Sequence, residues 1–130
     1  MIQTPYTKTP TVDRVTMFET IVYFCKLVGI PYEVLISKTR KREVLKYRQM
    51  IACYLDTNSN VHGDKYFLES QTKIGILLGG KDHSSVNHCT KVVKIDCEND
   101  VLYKIEYQQF ENKLNEKIKT NEKENTNNNI

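Results

Sequence analysis

No apolar run in this chain approaches the roughly 18 residues that a bilayer-crossing helix needs, which excludes a membrane span. Its start, Met1-Ile2-Gln3-Thr4-Pro5, has no basic segment followed by an apolar stretch, so no secretory leader is expected. The cysteines Cys25, Cys53, Cys89 and Cys97 include no pair with the two-residue gap of a zinc knuckle or thioredoxin-like site. Without export they are expected to be reduced, small apolar core residues. His83, His88 and Cys89 are a poor metal set, because the two histidines lie five apart and off one helical face, so no metal is expected. No complete G-x-x-x-x-G-K-[ST] phosphate loop occurs, so no nucleotide is expected either. Also missing are a G-x-S-x-G elbow, paired carboxylates beside a base and an oriented Cys–His dyad. The expectation is a protein with no cofactor and no enzymatic activity.

The net charge of +3 is unevenly placed: residues 1–31 carry +1, residues 32–95 carry +5 and residues 96–130 carry −3. A basic middle followed by an acidic end suits a polyanionic partner for the middle. Charge alone would equally describe a solvated surface.

Residues 1–10, with two prolines and several threonines, are expected to form a loose arm. Thr11 and Asp13 suit a helix start. Val15, Phe18, Ile21, Val22, Cys25 and Val28 then recur at helical spacing as far as the Gly29–Pro31 stop. A short apolar turn or helix at 32–36 leads into the basic connector Ser37-Lys38-Thr39-Arg40-Lys41-Arg42. The spacing predicts a second helix over 43–55, with Val44, Tyr47, Ile51, Tyr54 and Leu55 inside and Lys46 and Arg48 outside. Residues 56–70 read as a loop, with a turn of helix at Tyr66-Phe67-Leu68.

A short helix follows over 71–78, then Gly79-Gly80-Lys81, then a helix over 82–95 with Val86, Cys89, Val92 and Val93 inward. A last helix over 101–118 presents Tyr103, Tyr107, Phe110, Leu114 and Ile118 as one stripe. Residues 119–130, rich in Asn, Glu and Lys, are expected to be disordered. The fold class is therefore all-α, with residues 11–118 as one compact helical bundle.

Two short amphipathic helices joined by a tight glycine turn form the pattern of a helix-turn-helix. Asp82, His83, Ser84 and Ser85 fall in the first turn of the second helix, the part such modules push into the major groove. Aspartate accepts from cytosine N4, and serine and histidine donate or accept. Asn87, His88, Lys91 and Lys94 extend that surface toward bases or phosphates. The same residues also make an ordinary helix start with Asp82 as N-cap.

The string Ile74-Gly75-Ile76-Leu77-Leu78-Gly79-Gly80-Lys81-Asp82-His83-Ser84-Ser85-Val86-Asn87-His88 resembles the I-G-x-x-F-G-G-R-D-H-T-T-V-x-H signature of DnaA domain IV. That Trp-repressor-like domain binds DNA for the bacterial replication initiator. Leu35 to Val44, followed by Arg48-Gln49-Met50, resembles its basic loop and the helix after it. The likeness covers about residues 11–118. It implies that Asp82, His83 and Ser84 read bases in the major groove, with Ser85 and His88 close to bases or backbone. It also implies that Arg40 enters the adjacent minor groove, with Arg48 on the helix facing the DNA backbone and Lys81 at a phosphate. Lys38, Lys41, Arg42, Lys46, Lys73 and Lys91 are further candidates for phosphate contact.

Several positions depart from the family pattern. Ser84 and Ser85 replace threonines, Lys81 replaces an arginine, and Thr39 removes a charge from the basic loop. Gln71-Thr72-Lys73 replaces an apolar-Pro-acidic run, and the loop at 56–70 is longer than in the family. These changes bear on the preferred base sequence rather than on how the domain docks. The resemblance implies a sequence-preferring binder of double-stranded DNA at DnaA-box-like sites, acting in replication initiation or its regulation, in the cytoplasm with the nucleoid. The competing reading is a protein-interaction module or transcriptional regulator that kept the fold, its partner or second copy held through the C-terminal helix.

Overall fold

The computed structural model describes residues 16–59 and 71–128, with side chains as far as Ile118. The expected N-terminal arm, the Thr11–Val15 helix start and the turn at Tyr66-Phe67-Leu68 lie outside the described residues. Among those described there are six helices and no strand element: α1 Met17–Val28, α2 Tyr32–Leu35, α3 Arg42–Thr57, α4 Gln71–Leu77, α5 His83–Asn99 and α6 Val101–Asn128.

Each helix end has a local cause. The Thr16 hydroxyl accepts from the Glu19 amide at 3.1 Å, and the Glu19 carboxylate accepts from the Thr16 amide at 3.0 Å, a capping box that starts α1. Gly29 closes α1 at φ +73°. Asp100 ends α5 and starts α6, since its Oδ1 accepts from the amides of Leu102 and Tyr103.

α3 is the central element and packs chiefly against α5. Residues 50–55 are all buried, far more of its circumference than the one inner face the spacing predicts. Leu35, Ile51, Leu55, Ile74, Val86 and Leu114 fill the same core at no more than 2% exposure. A fully buried aliphatic side chain contributes about 1.5–3 kcal/mol. Phe24, Tyr47 and Phe110 meet edge to face, with centroids 5.1–6.2 Å apart, and tie α1, α3 and α6 together. The α6 stripe packs on the chain's own core as its spacing indicates, with Tyr107, Leu114 and Ile118 buried.

Two expectations change. α1 buries Met17, Thr20, Ile21, Phe24 and Cys25, while Phe18 is 46% exposed and rests its edge on Tyr32. Met17 to Val28 is apolar on nearly every side, so two overlapping faces fit the same period. α6 also runs to Asn128, into the segment expected to be disordered. That stretch contains no glycine or proline to stop a helix.

Candidate nucleic-acid interface

The paired helices are α4 and α5, and three glycines set their geometry. Gly79 and Gly80 take φ +103° and +78°, conformations that residues with a Cβ rarely adopt. At Gly75 a Cβ would overlap the carbonyl oxygen of Lys81. The Lys81 amide bonds to the Gly75 carbonyl at 2.8 Å. This segment follows the G-x-x-x-x-G-K spacing as far as Lys81, but Asp82 stands where the phosphate loop has Ser or Thr. The structure uses it as the turn between two helices.

Asp82 caps α5, its Oδ1 accepting from the Ser85 amide at 2.9 Å. That hydrogen bond holds the carboxyl below the usual aspartate range. The Ser85 hydroxyl and the Ser84 amide add to that lowering. His83, Ser84, Asn87, His88 and Lys91 are all exposed along α5, and Ser85 is half-buried.

An open groove of about 840 Å³ runs between the start of α5 and the connector that precedes α3. Lys38, Thr39 and Arg40 line one side, and Lys81, Ser84, Ser85 and His88 line the other. Leu45, Arg48, Gln49 and Cys89 complete the lining. Four of these residues are cationic and none is acidic, so the groove presents a field that attracts an anion.

The connector has no regular structure, yet it is fixed at several points. Arg48 is 6% exposed, and its Nε donates to the Leu35 carbonyl at 2.6 Å. Its Nη2 donates to the carbonyls of Ser37 at 2.9 Å and Thr39 at 3.3 Å. The Tyr32 hydroxyl donates to the Leu77 carbonyl at 2.6 Å. A Cβ on Gly79 would stand 2.5 Å from the Ile36 carbonyl oxygen, so the turn and the connector are in direct backbone contact.

Two of the sequence assignments need correcting. Arg48 does not lie on the outer side of α3; it is a buried donor to the connector's carbonyls, since α3 is enclosed on most sides. Lys46 is outside the groove lining, and its ammonium pairs with Glu106 of α6 at 2.6 Å and lies over the Tyr47 ring. Lys41, Arg42, Lys73 and Lys91 are exposed but also outside the groove lining. Sequence reasoning gave no site role to Leu45 or Gln49 and read Cys89 only as an inward core residue. The spacing of four from Leu45 to Gln49 was the available signal for a shared face.

The thiols behave as buried groups. Burial pushes Cys25 and Cys53 up to about 11. It also raises Cys89, against the pull of Arg48 and Lys81. Among the described residues no cluster of His, Cys, Asp or Glu suits a metal ion, and no helix is long and apolar enough to cross a membrane.

Residues 19–93, more than half of the chain, match the family described as the bacterial dnaA protein helix-turn-helix. The chain belongs to the DnaA helix-turn-helix family. It is 37% identical over 103 residues to the chromosomal replication initiator protein DnaA of Bacteroides thetaiotaomicron, covering 79% of this chain and 20% of that protein. With the protein of the same name from Bacteroides fragilis it shares 35% identity over 107 residues, 82% of this chain and 21% of the relative. A third, from Flavobacterium psychrophilum, is 31% identical over 102 residues, 75% of this chain and 19% of the relative. The chain therefore spans about a fifth of the length of these DnaA relatives. The matched DnaA part is a helix-turn-helix, which makes residues 19–93 a DNA-binding module.

Proposed function

We propose that this chain binds double-stranded DNA with sequence preference at DnaA-box-like sites, in replication initiation or its regulation. The first turns of α5 enter the major groove, where Asp82, His83 and Ser84 face base edges and Ser85 and His88 face bases or backbone. Arg40 enters the neighbouring minor groove, where the narrow A·T-rich potential attracts a guanidinium. Lys38, Lys81, Lys41, Arg42, Lys73 and Lys91 supply phosphate contacts. The observation that carries this reading is the shared groove, lined by four cations and no carboxylate, between Arg40 and the start of α5.

Salt-titrated binding to random and box-containing duplexes tests it. The log–log slope is expected to be about −0.9 per phosphate neutralised. Replacing Arg40 or His83 by alanine should cost about 1–3 kcal/mol of base discrimination each. A double variant that binds its preferred duplex as tightly as the parent overturns the docking. Binding with neither sequence preference nor steep salt dependence favours a protein partner instead.

A further inference from the structure

A chain of polar side chains runs from the end of α3 to the exposed face of α5. The Thr90 hydroxyl donates to Oδ2 of Asp56 at 2.7 Å. Gln71 Nε2, at the start of α4, donates to Oδ1 of Asp56 at 2.9 Å and to Oδ1 of Asn87 at 2.7 Å. The hydrogen-bond partners fix which way each amide points. Turning the Gln71 amide over would set its oxygen against two other oxygens, whereas its NH2 has two hydrogens to satisfy both.

The consequence falls on Asn87. Its Oδ1 faces Gln71, so Nδ2 is left with two hydrogens and no partner among the described residues. Asn87 is exposed, three residues on from Ser84, four on from His83 and four before Lys91, so it shares their outward face. An unrestrained asparagine pairs with adenine by donating to N7 and accepting from N6. One whose oxygen is held from behind offers donors only, so against adenine it could reach N7 but would set its second N–H against the N6 amino group. Base edges that offer acceptors alone in the major groove are those of the keto bases, guanine through O6 and N7 and thymine through O4.

We propose that Gln71, held by Asp56, is a positioning residue that fixes Asn87 as a hydrogen-bond donor, so that Asn87 selects a keto base over adenine or cytosine. The proposal rests on the docking given above.

The test is selection of bound duplexes from a randomised pool by the parent, Asn87→Ala, Asn87→Asp and Gln71→Leu. Each protein's melting temperature and salt slope are measured beside it. The parent should enrich guanine or thymine by about tenfold at one position, the scale of a good base contact. Asn87→Ala should lose preference at that position alone, with the salt slope unchanged because no charge is lost. Asn87→Asp, which offers acceptors, should turn the same position toward cytosine or adenine. Gln71→Leu should let the Asn87 amide turn, admitting adenine there while other positions hold.

The proposal is overturned if Asn87→Ala selects the parent's sequence at every position, or loses affinity equally for all sequences as a phosphate contact would. A Gln71→Leu variant that keeps the keto preference removes the positioning role. In each of these outcomes the parent still selects a sequence; a parent that enriches nothing fails the DNA-binding reading instead.

Discussion

Replacing Arg48 separates a surface phosphate contact from a buried structural one. In Arg48→Met the connector loses donors to three carbonyls, those of Leu35, Ser37 and Thr39. Hydrogen bonds from a charged donor contribute about 1.5–3 kcal/mol when buried, and the Leu35 bond is the shortest and most enclosed of the three. The other two are part-buried, so the gross loss is about 3–5 kcal/mol. Against this, methionine avoids burying a guanidinium that has no carboxylate partner among the described residues, which returns about 1–2 kcal/mol. The net expectation is a loss of about 1–4 kcal/mol, or about 5–20 °C in melting temperature for a domain of this size. Arg48→Lys, with one point charge in place of a planar fork, should recover only part of it. Urea unfolding followed by circular dichroism gives the stability, and DNA binding below the transition gives the function. If Arg48→Met unfolds at the parent's urea midpoint while its salt slope falls by one phosphate, Arg48 reaches DNA from the surface and the reasoning is wrong.

Further outcomes follow from the same contacts. Gly79→Ala should destabilise by at least about 2 kcal/mol, because its φ of +103° is strained for alanine and the Cβ meets the Ile36 carbonyl; an unchanged urea midpoint would contradict this. The Tyr103 hydroxyl is buried with no hydrogen-bond partner among the described residues, so Tyr103→Phe should be neutral or stabilising by about 1 kcal/mol in the same assay. Burial pushes the Glu106 carboxyl up, but hydrogen bonds from Lys46 and Tyr47 outweigh it and hold the group below the ordinary glutamate range. Its stabilising effect is therefore present above the unfolded glutamate value and is lost over the window in which pH falls from there through the lowered folded value. Melting curves across that window should show a shallower acid loss in Glu106→Gln. Lys46→Ala should share that change and leave the salt slope of DNA binding as it was.

Much of this was legible from the sequence where signals were redundant. The turn was marked by both Gly79-Gly80 and the capping chemistry of Asp82, and α4 and α5 start within a residue of the expected positions. The α6 stripe was legible because its outer face is polar beyond Ile105, which leaves a single face to bury. α1 was harder, since a segment that is apolar almost all round has no unique inward side. Arg48 was misplaced for a different reason. A lone arginine on a helix is normally exposed, and only the connector folding back over α3 supplies carbonyls to receive it. Lys46 was assigned by charge, and the acid that binds it is far along the chain on α6. The Asp56–Gln71–Asn87 chain joins three helices across gaps of fifteen and sixteen residues, which no local period encodes.

The groove's shape is set by the protein core before any ligand arrives. The connector touches the rest of the molecule through Arg48 from α3, through the Tyr32–Leu77 bond and through Gly79 at Ile36. Each of these links either the connector or the helix before it to a core element or to the helix-turn-helix turn. The separation of Arg40 from the start of α5 is therefore a property of the folded chain. A ligand that engages both sides finds them spaced in advance, so little ordering entropy is lost on binding. On the proposed docking, such a surface would discriminate by requiring the duplex to match its spacing, and a duplex with an altered groove would be rejected at Arg40 even with the right bases facing α5.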